Sequence, residues 1–144
     1  MISNEEASVL RETCRNTGMA LDSINMVLNK VYDEDLAYDL NCQANGYREL
    51  ERKAERAMMR EGIMPQEGSK LGKAMLWSSI QANTLLNTST SHVADMMIQG
   101  NTRGITELMK ATHNNKVKGS YANEIACELM DFEEKNIEKL KSYL

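Results

Sequence analysis

Apolar and small positions along this chain recur at alternating intervals of four and three. Leu10, Cys14, Thr17, Leu21, Ile24, Leu28 and Val31 follow that spacing. The rhythm keeps a single stripe of a helix facing inward, as in bundled helices. Ser3 and Glu6 form a capping box ahead of it, so a first helix is predicted over about 4–31. A second stripe runs through Leu36, Leu40, Gln43, Tyr47, Leu50, Ala54 and Ala57, with Asp33 or Asp35 placed to cap its start. Its outer face, "RELERKAER", is charged, with Glu49 and Lys53 one turn apart, and reads as solvated. Gly62 suits a helix C-cap, and Pro65 blocks continuation. The short connection between these two helices predicts an antiparallel hairpin.

Residues 63–70, "IMPQEGSK", read as a loop, followed by a shorter helix over about 71–87. The polar run "NTSTS" interrupts it, because Ser, Thr and Asn side chains compete for backbone hydrogen bonds. Ser89 or Ser91 can cap the next helix, about 91–114, which carries Val93, Met97, Gly100, Gly104, Leu108 and Ala111 along one side. "NNKVKG" reads as a loop, and Ser120 can cap a last helix with the stripe Ile125, Leu129, Phe132, Ile137 and Leu140. Four long helices with an extra short one in a connection spanning about 63–90 predict an all-α fold. It is a single-domain four-helix bundle over 1–144 with one long crossover, the ferritin-like connectivity.

Composition agrees with helices: one proline and 5% aromatics leave little for a strand-rich fold. A net charge of −4 and a pI near 5.3 argue against nucleic acid and anionic membranes as partners. No apolar run approaches the roughly 20 residues of a membrane span, and "MISNEEASVL" does not read as a secretory signal. Cys14, Cys42 and Cys127 form no CxxC pair and read as reduced, buried thiols of a cytoplasmic protein.

The pieces "GSKLGKAMLW" at 68–77 and "QGNT" at 99–102 bring a known group into view. In their order and spacing they resemble an uncharacterised family of bacterial ferritin-like domains. Those domains carry a "GS" loop, then an extra helix with a tryptophan, then a core helix with an "RGED"-like signature. The resemblance implies a bundle core able to hold two metal ions, iron or manganese, on inward acids and histidines. Carried over residue by residue, the expected ligand positions fall at Gly18, near Asn45, at Asn101 and near Glu134. Two are amides, one is glycine, and no Glu-x-x-His occurs anywhere in the chain. Asp22, Asp95 and Glu107 stand as single acids.

Gly100 and Gly104, with Gly18 and Gly46, place small residues near the middle of three core helices. Three explanations fit: a tightly packed bundle that has lost its metal cavity, a cavity for an apolar or partly polar small molecule, or an unusual metal site around Glu134. His92 and His113 are 21 residues apart on one helix. At about 1.5 Å per residue they stand roughly 30 Å from each other and cannot share a metal. No phosphate loop, dinucleotide fingerprint or nucleophile elbow is present. Eleven methionines exceed what the stripes need. Met75, Met96 and Met97, with Trp77 as anchor, read as a subunit interface or as core filler.

The leading expectation is a non-enzymatic binding or structural module with no cofactor, forming a homodimer or higher homo-oligomer as ferritin-like bundles commonly do. The rivals are a di-metal protein of iron handling or oxidative-stress defence, and a coat or stress-associated structural protein.

Overall fold

One device starts four of the helices. Ser3, Asp33, Ser89 and Ser120 have extended backbones. Each accepts a hydrogen bond from the backbone N–H three residues on, at 3.1, 2.9, 3.2 and 3.1 Å. An oxygen side chain there satisfies one of the donors that every helix start leaves unpaired. The helices that follow in the computed structural model are α1 (Asn4–Leu28), α2 (Glu34–Arg60), α4 (Thr90–Thr112) and α5 (Tyr121–Lys141). Between α2 and α4 lies α3 (Lys70–Thr84), and a 3-10 turn, Asn115–Val117, precedes α5. The structure describes residues 2–64, 70–84, 87–113 and 115–144. Pro65, the GS pair at 68–69 and the predicted end of the short helix at 85–86 lie outside them.

The α2 terminus is closed by glycine chemistry. Gly62 takes φ of +69°, its N–H reaches Met59 O at 3.1 Å, and the Ile63 N–H reaches Met58 O at 2.9 Å. That pair of bonds is a Schellman motif, which favours a residue without a side chain at the left-handed position.

Contacts at the helix ends fix the chain directions. Lys116, just past α4, pairs with Glu5 at the start of α1 at 3.4 Å. Lys53, late in α2, pairs with Glu128, early in α5, at 2.7 Å. At the opposite end the Tyr143 hydroxyl, past α5, donates to Asp39, early in α2. Taking α1 as up, α2 and α4 run down and α5 runs up, so the end of α2 and the start of α4 lie at opposite ends of the bundle.

All seven positions of the predicted α2 stripe are buried. The α4 stripe is corrected at Gly100, which is exposed, while Val93, Met97 and Leu108 form the buried side. On α5 the predicted Phe132 and Ile137 are half-buried, and the fully packed positions include Glu133 and Asn136. Phe132 instead lays its ring over Gly46, where a Cβ would collide with it. It meets the Tyr47 ring edge-on, with centroids 5.0 Å apart and planes at 87°.

The helix α3 stands outside the four-helix core, against α1. It buries Ile80 and Thr84. Lys73 reaches Asp22 on α1 at 3.6 Å, and the Asn83 carbonyl accepts from His92 Nε2 on α4 at 2.7 Å. Thus α3 spans the groove between α1 and α4. Among the described residues no helix is long and apolar enough to cross a membrane. The cysteines depart from expectation: Cys42 and Cys127 are exposed, and only Cys14 is partly covered, its thiol 3.5 Å from Met58 Sδ. Burial, then the nearby Glu55 and Glu51 carboxylates, push the Cys14 thiol up to about 11, which leaves it protonated and unreactive.

Candidate functional site: a buried carboxyl at the base of a cavity

One polar side chain from each long helix meets at mid-bundle. Asn16 comes from α1, Tyr47 from α2, Asn101 from α4 and Glu133 from α5, and all four are buried. The Asn16 Nδ2 donates to Glu133 Oε1 at 3.1 Å. The Tyr47 hydroxyl lies 2.7 Å from Asn101 Oδ1 and 3.1 Å from Glu133 Oε2. The Asn101 Nδ2 donates to the Met97 carbonyl at 2.8 Å, which turns its Oδ1 toward the tyrosine.

Gly104 makes room for this arrangement. A Cβ at 104 would lie 2.5 Å from Glu133 Oε2 and 2.8 Å from both Oε1 and Asn16 Nδ2. Gly100, one turn earlier, has nothing within 4 Å of such a Cβ. The two glycines therefore have different reasons to be there: one admits a carboxyl, the other lines an open space.

That open space is a cavity of about 410 Å³ between α1, α3 and α4. Met19 and Ala20 of α1, Leu76 and Ile80 of α3, and Met96 and Met97 of α4 give it an apolar wall. Tyr47, Asn101, Gly104 and Glu133 form its polar base. Around the mouth stand Arg15, Gln99 and Arg103, all exposed, with Glu12 and Glu107. Arg15 pairs with Glu12 at 3.4 Å.

Electrostatically the base is governed by desolvation. Burial pushes the Glu133 carboxyl up to about 7, against the opposing pull of its bonds from Asn16 and Tyr47. Burial, and then the Glu133 charge beside it, raise the Tyr47 phenol far above its ordinary range, so it holds its proton.

The residues that meet at mid-bundle differ from the carried-over positions at three of the four helices. Glu134 is exposed, and the buried acid is its neighbour Glu133. Asn45 is exposed and accepts from Arg48 at 2.9 Å, whereas Tyr47 turns inward. A Cβ at Gly18 would lie 3.8 Å from Glu51 Oε2, and the α1 contribution is Asn16. Of the four carried-over positions, Asn101 is the one in this buried layer. A slip of one residue turns a helical side chain by about 100°, enough to move it from core to surface. Of the expected interface residues, Met75 and Trp77 are 65% and 53% exposed, Met96 is partly covered, and Met97 is in the core. His92 ties α4 to α3, and His113 caps the end of α4 in solvent.

The donor set does not suit a pair of metal ions. It holds one carboxyl, and the Asn16 amide presents its NH₂, not its oxygen, to that carboxyl. No three His, Cys, Asp or Glu side chains converge among the described residues. A di-metal centre needs several anionic or imidazole ligands at once. What the arrangement can do is hold one ligand group against Glu133 while an apolar wall covers the remainder. Set against known proteins, the chain matches no family model, no curated protein and no solved structure.

Proposed function

We propose that this chain is a non-enzymatic small-molecule binding module built on a ferritin-like bundle whose metal centre has been replaced by a ligand cavity. The observation that carries this reading is the 410 Å³ cavity, apolar along its wall, that ends on a buried carboxyl. Ligand sites have this character: concave, mostly apolar, with a few convergent polar groups. The ferritin-like assignment is supported by the up-down-down-up chain directions and the long connection over 61–89. Met75 and Trp77, exposed on α3, are the seat we assign to a second copy in a homodimer.

N-phenyl-1-naphthylamine, a neutral apolar fluorophore, tests the binding role. The protein should take it up saturably, one per chain, with enhanced emission. Gly100→Leu should block uptake, because a side chain at 100 grows into the cavity and meets nothing that must move. Unsaturable uptake, or uptake unchanged by Gly100→Leu, overturns the reading.

A further inference from the structure

Proton counting at the cavity base points to the chemistry of the ligand. The Tyr47 hydroxyl has one proton and two neighbouring acceptors. Asn101 Oδ1 is the closer, at 2.7 Å, and the Asn101 amide cannot reverse without losing its bond to the Met97 carbonyl. One proton cannot serve both at once. With Glu133 neutral, the tyrosine proton rests on Asn101. Once Glu133 ionises, its carboxylate is the stronger acceptor and draws that proton to Oε2, beside the Asn16 amide on Oε1, so Asn101 Oδ1 loses its donor.

No ion pair reaches Glu133 among the described residues. Besides Glu133, the charged groups lining the cavity are Glu12, Arg15, Arg103 and Glu107 at its mouth, two of each sign. An ionised Glu133 thus lacks a compensating charge and leaves the cavity base one donor short, and Gly104 leaves its carboxyl facing the cavity. A buried charge in that state is costly until a partner arrives.

We infer that the cavity takes an amphipathic primary amine, whose ammonium group seats on the Glu133 carboxylate and whose apolar body lies along Met19, Ile80 and Met97. This rests on the binding role proposed above. A single NH₃⁺ supplies the missing donor and the missing charge together. An alcohol supplies only a neutral hydrogen bond, and a carboxylate would place a second negative charge beside the first. Binding at a pH where free Glu133 is protonated expels that proton to solvent. The upward displacement of the carboxyl to about 7 makes the release visible below neutrality.

Three probes with one hydrocarbon tail decide the matter: n-hexylammonium, 1-hexanol and hexanoate, titrated calorimetrically into the full chain at about pH 6. Hexylammonium should bind about tenfold more tightly than hexanol, the step from a neutral to a charge-assisted hydrogen bond. Hexanoate should be the weakest of the three. Heats measured in buffers of different ionisation enthalpy should show close to one proton released per amine bound, and none for hexanol. Glu133→Gln should erase both the amine preference and the proton release while hexanol still binds. The proton count needs no variant, so it stands even where the variant folds poorly. Equal binding of amine and alcohol, a preference for hexanoate, or no proton release overturns the amine assignment and leaves the binding role intact. Failure of all three probes overturns both.

Discussion

The Glu133 carboxyl occupies the space that a side chain at Gly104 would need, with Oε2 only 2.5 Å from the position of the absent Cβ. Opposite outcomes follow for two glycines one turn apart on the same helix. Gly100→Ala should stabilise the fold by roughly 0.5–1 kcal/mol, since alanine is the better helix former and its methyl meets nothing. Gly104→Ala gains the same propensity but displaces a buried carboxyl and the Asn16 amide, for a net loss of about 1–2 kcal/mol. Urea unfolding of both variants checks the pair of signs. A stabilising Gly104→Ala would show that the Glu133 position is soft.

The pH dependence of stability should carry the signature of Glu133. Its carboxyl titrates at about 7 in the fold, against an ordinary value of 4.5. Between those values the native state binds more protons than the unfolded chain, so stability falls as pH rises through the window. The contribution is fully present below 4.5 and lost above 7. At 1.36 kcal/mol per pH unit the loss is about 3 kcal/mol as an order of magnitude. Glu133→Gln, whose amide can donate to Tyr47 in place of the acid proton, should match the wild type near the acid end and exceed it at slightly alkaline pH. The difference between the two unfolding curves against pH is the readout, and a flat difference would refute the assignment.

Tyr47→Phe removes the hydroxyl that joins Asn101 to Glu133 while keeping the edge-on ring contact with Phe132. It should cost about 1–3 kcal/mol, the penalty for leaving buried polar atoms unpaired. It should also drive the Glu133 carboxyl further up, since its bond to Tyr47 holds it down. Chemical denaturation reads the first effect, and a carbon NMR titration of the glutamate carboxyls reads the second.

Trp77→Asp should test the proposed dimer without disturbing the fold. Trp77 is half-exposed on α3, so the substitution leaves helix content unchanged, with a stability effect within about 0.5 kcal/mol. Sedimentation equilibrium should then change from dimer to monomer. A wild-type monomer would remove α3 as the seat, and larger wild-type assemblies would favour a coat-like role.

Helix number, order and caps were legible in the chain because they depend on local chemistry. Ser3 and Ser120 cap as expected, and of the paired alternatives Asp33 and Ser89 do. The α1 helix ends at Leu28, three residues short of the pattern, because Lys30 and Val31 make turn bonds back to Val27 and Leu28. The site was harder to see. Glu133 and Asn136 lie in phase with Ala122, Ala126, Leu129 and Leu140 at intervals of four and three. Following polarity instead of phase selects Phe132 and Ile137, because charged residues are so seldom fully buried. Asn16 was hidden in the same way, in phase with Val9, Thr13 and Ala20. Of the carried-over positions, Asn45 and Glu134 face solvent and Gly18 faces Glu51, so only Asn101 belongs to the buried polar layer. The cavity could not be read in advance, since it depends on where α3 settles across α1 and α4.

The long crossover also shapes how the chain reaches this fold. The α1–α2 and α4–α5 pairs are joined by short turns, so each can zip up locally on the fast timescale of nearby contacts. The two hairpins are joined through residues 61–89, whose helix α3 bridges α1 and α4 only once both are in place. Their docking is then the slow, entropy-limited event, and it completes the polar layer, with Asn16 and Tyr47 on one hairpin and Asn101 and Glu133 on the other. Doubling such a tether adds only about 0.6 kcal/mol to closure. Outside α3 the connection can therefore be lengthened with little effect on stability, while the two halves remain obliged to meet at the buried carboxyl.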